Sequence, residues 1–389
     1  MLDVVAGSMV FLAFPWLAIE ITGSASSAGL LVAITAIPGL LLAPVIGSII
    51  DKFGRRRTAI WIEFATAFVS LFIPVAAWLW VFSLPLLITI GVIRSTVGSG
   101  SITARKSFIP DVAKVAGLSL ERANSIQEAV FASGFAFGPA LASFCISWFG
   151  VYNTFYVVSA VCVLAAVTLI PVRAREHKEN HDDEKNLFKF AVQGFKILGS
   201  TPSVFIVLSG LLALAMIYLP TEMIVLPKHF NLIGDPQGLG LLLSAMATAT
   251  ALGALTFEKL SKKFKYSSLY RFAILGIATA MVPMSFLPPY WMLLGFGILL
   301  GAAWGPMPPL VNTVIQRKIP PSMRGRVFSL EMVIWSGGPM LTMLLVGIAV
   351  DEIGVQPVYM ILAGMVLTAA LLIALSKYMR EIDTADFTD

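Results

Sequence analysis

Apolar runs of about twenty residues alternate with short polar breaks along the whole 389-residue chain. The runs fall near residues 4–22, 27–49, 58–80, 83–104, 124–149, 152–171, 203–226, 238–257, 269–287, 290–315, 327–350 and 356–376, which makes twelve. Each is long enough to cross a bilayer as a helix, which takes about 20 apolar residues. The breaks carry turn chemistry, as in Thr22-Gly23-Ser24, Ser83-Leu84-Pro85, Gly234-Asp235-Pro236 and Pro288-Pro289. The pattern predicts an all-α polytopic membrane protein with twelve transmembrane helices.

Composition agrees and adds an orientation. A hydrophobic fraction of 58%, a charged fraction of 13% and a mean hydropathy of +0.87 exclude an ordinary soluble domain, where charged residues make up about 25%. If the break between the second and third runs lies in the cytoplasm and sides alternate, 25 of the 27 Lys and Arg fall in cytoplasmic connections and the tail. The exceptions are Lys228, outside, and Arg94, inside a run. So lopsided a distribution is the positive-inside bias, and it puts both termini in the cytoplasm. Cys145 and Cys162 both sit inside apolar runs, which leaves neither a disulfide framework nor a thiolate cluster. Three histidines leave little for catalysis. With no nucleotide-binding loop, G-x-S-x-G elbow or H-E-x-x-H, the chain reads as a non-enzyme without cofactor, metal or nucleic-acid partner. Met1-Leu2-Asp3 lacks the basic start of a signal peptide.

The longest charged connection divides the chain. Residues 1–171 form an N-terminal six-helix bundle, 172–201 a cytoplasmic linker, 202–378 a C-terminal six-helix bundle and 379–389 a tail. Within the linker, Phe188, Ala191, Phe195 and Leu198 share one helical face, as in an amphipathic helix lying on the membrane surface. His177 and His181, followed by Asp182-Asp183, read as a solvated loop in preference to a metal clasp. The halves repeat at an offset near 200–207 residues. Trp16 to Glu20 aligns with Tyr218 to Glu222, Asp51-Lys52 with Glu258-Lys259, Arg122 to Ser125 with Arg326 to Ser329, and Gly138-Pro139 with Gly338-Pro339. Two pseudo-symmetric bundles follow from that order.

Candidate chemistry concentrates in three places. Between runs two and three lies Gly47-Ser48-Ile49-Ile50-Asp51-Lys52-Phe53-Gly54-Arg55-Arg56-Arg57, a tight turn of charge at one membrane surface. In run four, Arg94 is a costly cation that should face a polar cavity, or bond backbone carbonyls or a neighbouring helix. Gly98, Gly100, Ser101 and Arg105 follow it in a narrow polar stretch. Run five holds Gly134 and Gly138, four apart and suited to close helix contact, then Pro139, which removes a backbone donor and permits a bend.

The pattern G-x-x-x-D-K-x-G-R-R-R resembles the loop between helices 2 and 3 of the major facilitator superfamily. R-S-T-V-G-S-G from Arg94 is similar to the helix 4 motif of drug:proton antiporters, with Val97 where glutamine is usual. G-x-x-x-G-P from Gly134 resembles their helix 5 motif, although Ala142 and Ser143 replace later glycines. Ile109-Pro110-Asp111, Glu121 to Ser125 and the stretch from Ile319 to Leu330 look like the macrolide-efflux-like branch. The resemblance implies the major facilitator fold and alternating access. It implies proton-coupled export of amphipathic small molecules, macrolide-like drugs among them, by a monomer in a bacterial inner or plasma membrane. It also implies a gate at Gly47, Asp51, Gly54, Arg55 and Arg56, with Asp51 and the arginines holding the inner ends of helices 2 and 11 together. Carriers of this kind usually have a cytoplasmic leader. Here the first run starts almost at Met1, so either the start codon is misplaced or an amino-terminal turn is missing.

Proton coupling needs carboxylates in the membrane. Glu20 and Glu222, at matching places just before the outer ends of helices 1 and 7, are candidates, with Pro220 distorting the second helix. Glu331 is a third. Glu63 reads as a snorkelling residue near the inner surface, and Glu128 as half of a capping box with Ser125. Trp16, Tyr218, Trp304 and Asn312, with Phe14, Met216 and Met307, are candidate cavity residues suited to large amphiphiles. An uncoupled lipid flippase, or a siderophore or metabolite exporter of the same fold, is the alternative function, and a non-transporting sensor or scaffold a third.

Overall fold

The computed structural model describes residues 1–38, 55–79, 82–98, 117, 120–171, 201–319 and 321–383, with side chains at 55, 120–129, 132, 316, 321–326, 328–336 and 341 outside that description. Among the described residues, a helix falls within every expected span. These are α1 (Leu2–Thr22), α2 (Ala25–Pro38), α3 (Arg55–Trp78), α4 (Leu84–Gly98), α5 (Leu120–Phe149) and α6 (Val151–Leu169). The second half supplies α7 (Pro202–Leu232), α8 (Pro236–Lys263), α9 (Tyr266–Ser285), α10 in two pieces (Tyr290–Trp304 and Met307–Lys318), α11 (Pro321–Ile353) and α12 (Val355–Leu375). The architecture is the two-bundle major facilitator fold.

Two compact units divide the chain. One gathers Met1–Lys185 with Phe230–Ser244, the other Asn186–His229 with Ala245–Asp389. In the first, α1 packs on α5 and α6, and α3 on α6. α1 is buried all round, with Met9, Ala13, Leu17 and Ile19 sealed from any solvent. α3 is polarised the other way from a soluble helix. Trp61, Phe64, Phe68 and Phe72 are exposed at helical spacing, while Glu63, Thr66 and Ser70 are buried. In lipid that arrangement is the favourable one, because ionisable and polar groups turn to the bundle interior.

In the second unit α9 packs on α10 and α12, and the middle of α7 on α11 and α12. The tail forms a 3-10 turn over Lys377–Asp383, where Met379 and Ile382 are buried against α7 and α9. Asp383 accepts from both the backbone N–H and the hydroxyl of Ser267, so it caps the start of α9 from outside that helix.

The internal repeat is visible in the packing. Gly150 links α5 to α6 at φ 81°, and Gly354 links α11 to α12 at φ 91°, a left-handed conformation that glycine adopts without strain. A Cβ added to Gly138 of α5 would fall 1.8 Å from Ser8 Oγ of α1. One added to Gly338 of α11 would meet Met216 and Leu212 of α7 at 3.3 and 3.4 Å. Thus the same glycine rests on the same partner helix in both halves.

Candidate functional site

Gly134 and Gly138 let α5 press its backbone onto α1. A Cβ on Gly134 would lie 2.6 Å from Val4 Cγ1, and Ser8, itself buried, donates to the Gly134 carbonyl at 2.9 Å. Pro139 bears no N–H, and the next donor, Ala140 N–H, turns to Ser244 Oγ of α8 at 3.0 Å. Gly240 of α8 sits so near that a Cβ would fall 2.7 Å from the Pro139 carbonyl and 1.9 Å from Ser143 Oγ. The small residues of α5 therefore serve close packing on two sides, both inside the first unit.

Arg94 of α4 is partly buried and finds partners. Its Nε donates to Ser70 Oγ of α3 at 3.1 Å, and the Cys162 thiol of α6 lies within electrostatic reach of its guanidinium. Glu63 and Asp3 lie within electrostatic reach of it. Glu63 is 1% exposed, which corrects the expectation of a snorkelling surface residue. Because α3 starts at Arg55, position 63 is two turns inside, about 12 Å along the axis at 1.5 Å per residue. An arginine in this place offsets two carboxylates, and the costly cation is accounted for by that local charge balance. Gly98, one turn on, faces Thr66 of α3, whose Oγ1 would lie 4.0 Å from an added Cβ.

Arg56 turns away from lipid and across to α6. Its Nε donates to the Leu169 carbonyl at 3.2 Å and its Nη2 to that of Ile170, so a cation satisfies the last carbonyls of that helix. Gly47, Asp51, Gly54 and Gly100 lie outside the described residues, as do Arg105 and the linker from 172 to 200. The side chains of Arg55, Glu128 and Glu331 lie outside them too.

The two halves carry the same aromatic–carboxylate pair. Trp16 Nε1 donates to Glu20 Oε2 at 2.8 Å, and the Tyr218 hydroxyl donates to Glu222 Oε1. Four-residue spacing puts each donor directly below its acceptor on one helix face. The surroundings differ. Glu20 is exposed near the end of α1, whereas Glu222 lies well inside the 31-residue α7, which continues to Leu232. Its expected place at a helix end is thus corrected. Around Pro220 the helix widens into π turns at Leu214–Tyr218 and Thr221–Val225, with Leu219 N–H bonded to Leu214 O and Leu226 N–H to Thr221 O. Proline supplies no N–H and its ring crowds the preceding turn, and the i→i+5 pattern relieves both.

Tyr218 stacks on Trp304 with ring centroids 5.8 Å apart and planes at 30°. Trp304 is placed by the glycines that flank it, Gly301 and Gly305. A Cβ on Gly301 would fall 2.2 Å from the Met246 carbonyl, and one on Gly305 2.3 Å from that of Thr250, so α10 rests backbone to backbone on α8. Tyr359 of α12 lies within electrostatic reach of Glu222. Asn312 is exposed on the inner piece of α10 and makes no described contact with this group. Sequence reasoning missed Ser8, Ser70, Cys162, Gly301, Gly305 and Tyr359; only Gly301-x-x-x-Gly305 carried a readable signal.

The family described as transmembrane secretion effector matches the chain over residues 5–389. The chain belongs to that family. It is a multi-pass membrane transporter of the major facilitator superfamily and not an enzyme. A similar relative is the multidrug efflux pump Tap of Mycolicibacterium fortuitum, 27% identical over 386 residues that cover 97% of this chain and 93% of the pump. Two solved structures share the fold. The nucleoside transporter NupG superposes with TM-score 0.74 at 14% identity, covering 96% of this chain and 95% of its own. The D-xylose–proton symporter does so with TM-score 0.72 at 15% identity, covering 96% and 95%. For a transmembrane secretion effector the groups just described are candidate pathway residues: in one unit Arg94, Glu63 and Ser70, in the other Glu222, Tyr218 and Trp304.

Proposed function

We propose that this transporter exports amphipathic small molecules, macrolide-like drugs or similar, by alternating access in exchange for inward-moving protons. It works as a monomer in a bacterial cell membrane, with both termini in the cytoplasm. The observation that carries the reading is Glu222: a carboxylate well inside an apolar helix, held by one tyrosine and set in a stretch of π turns. π turns inside long helices recur at functional sites. The resemblance of the chain to a multidrug efflux pump over nearly its whole length supports export. The distribution of 25 of 27 cations supports the orientation.

The driving force is adequate. One charge crossing 100 mV supplies about 2.3 kcal/mol, enough for roughly a fifty-fold cargo gradient before any pH difference contributes. In this reading Asp51, Arg55 and Arg56 govern the inner gate, and Glu222 and Glu20 are the candidate proton carriers. The uncoupled alternative drew its support from the lack of an acid in mid-membrane; the burial of Glu63 and the place of Glu222 within α7 support the coupled reading instead.

The test is proton movement in proteoliposomes under an imposed pH gradient, with a macrolide, a tetracycline and a siderophore offered in turn. Cargo-dependent proton flux that weakens in Glu222→Gln is expected. Transport indifferent to the gradient would overturn the coupling while leaving export standing.

A further inference from the structure

We propose that the start of α9, the end of α12 and the tail turn together form a binding site for one anionic phospholipid. The site lies apart from the candidate pathway residues, and the inference does not depend on what the cargo is.

Positive charge collects at this end of the second unit, the one expected at the cytoplasmic surface. Residues 258–271, 317–318 and 377–383 carry nine Lys and Arg against three acids. Contacts draw these segments together. Arg317, near the end of α10, lies over the Tyr266 ring at 5.1 Å from its centroid, and Asp383 of the tail accepts from the N–H and the hydroxyl of Ser267. Two of the acids are already engaged: Glu258 pairs with Lys262, and Asp383 holds Ser267 with both oxygens. Glu381 is the third.

Three cations around the Ser267–Asp383 junction are left over. Lys265 stands just before α9, Arg271 follows Ser267 by one turn, and Arg380 precedes Asp383 in the tail turn. Among the described residues, no hydrogen bond or ion pair engages the side chain of any of them. Arg271 Nε is sealed from solvent without an acceptor. Helical side chains lean toward the N-terminus, so Arg271 leans back toward the junction. A guanidinium enclosed without an anion is costly, and a phosphate arriving at the junction would offset its charge.

The surface beside the cations decides which phosphate. Phe272 of α9 and Leu372 and Leu375 of α12 are exposed, on two helices that pack on each other. Phe264 and Tyr378 are exposed at the level of the charges, as aromatic residues are at a membrane surface. Cations at headgroup height above an apolar seam fit a phosphate that carries acyl chains. Each Lys or Arg held against an anionic headgroup is worth about fivefold in binding. A phosphatidylcholine brings its own cation to the phosphate and gains less. A soluble phosphate gains the charges without the seam.

Native mass spectrometry of the full-length transporter reads the first bound lipid as dioleoylphosphatidylglycerol or dioleoylphosphatidylcholine is titrated in. The wild type should bind the phosphatidylglycerol at least about tenfold more tightly. Lys265→Gln, Arg271→Gln and Arg380→Gln combined should lose at least about tenfold for that lipid and less than about twofold for the phosphatidylcholine. Arg173→Gln, Arg175→Gln and Lys178→Gln combined remove the same charge from the linker and should leave the phosphatidylglycerol within about twofold of wild type. Wild-type protein that binds the two lipids alike overturns the proposal, and this readout needs no variant to fold. A folded first variant that keeps its preference also overturns it, as does a linker variant that loses as much, because net charge alone would then explain the binding. Displacement of the bound lipid by glycerol 3-phosphate as readily as by more phosphatidylglycerol would assign the site to a soluble phosphate instead.

Discussion

Replacing Gly301 by alanine tests how the second unit aims Trp304. The new Cβ would stand 2.2 Å from the Met246 carbonyl oxygen, 2.9 Å from its carbon and 3.1 Å from its Cα, all backbone. No rotamer relieves such a contact, so α8 and α10 must part by roughly 1.2 Å to reach ordinary van der Waals distance. Overpacking of that kind costs about 1–3 kcal/mol, set against a gain of about 1 kcal/mol from the better helix propensity of alanine. Gly295, on the same helix, supplies the control, because it is exposed and an added Cβ meets nothing within 4 Å. Gly295→Ala should keep the propensity gain alone. The two variants should therefore differ by about 1–3 kcal/mol, the overpacking cost alone, and their thermal midpoints in nanodiscs by at least about 2 °C. Midpoints within about 1 °C of each other would refute the backbone-to-backbone seam.

Other outcomes follow from the first unit. Gly138→Ala places a Cβ 1.8 Å from Ser8 Oγ; it should lower the thermal midpoint, and Ser8→Gly in the same protein should restore part of the loss. Arg94→Met removes a cation within electrostatic reach of Glu63 and Asp3 and the bond to Ser70; it should lower membrane yield, with Arg94→Met/Glu63→Gln milder than Arg94→Met alone. Arg56→Met removes the cation from the carbonyls of Leu169 and Ile170 and should destabilise by about 1 kcal/mol, read by proteolysis at the end of α6.

The helices were legible because lipid imposes a simple rule: a run long enough to span must be apolar and must bond its own backbone. The rule misjudged ends. The seventh run stops at 226 on paper because Pro227-Lys228-His229 reads as a chain leaving the membrane, yet α7 continues to Leu232 and Lys228 is buried at 9% exposure. Pro227 follows a π turn that has already displaced the bonding pattern, so its missing N–H does not end the helix. Similarly, the eighth run loses its hydropathy at 257 while α8 stays helical to Lys263 as a charged extension.

Site residues divide by sequence distance. Trp16 with Glu20 and Tyr218 with Glu222 were readable, since partners four apart on a helix are neighbours. Arg94 with Ser70, Cys162, Glu63 and Asp3 was not, because only tertiary packing brings four helices together there. The cost of a cation in mid-membrane showed that Arg94 must have partners, and nothing in the chain named them.

Cargo accumulation in cells stripped of their own exporters tests the central claim of export most directly. The protein and its Asp51→Asn variant, each verified in the membrane, are compared with empty vector using labelled tetracycline, a macrolide and a siderophore. The account predicts lower steady-state accumulation of at least one cargo with the native protein, abolished by an uncoupler and by Asp51→Asn. Accumulation equal to empty vector for every cargo would contradict it.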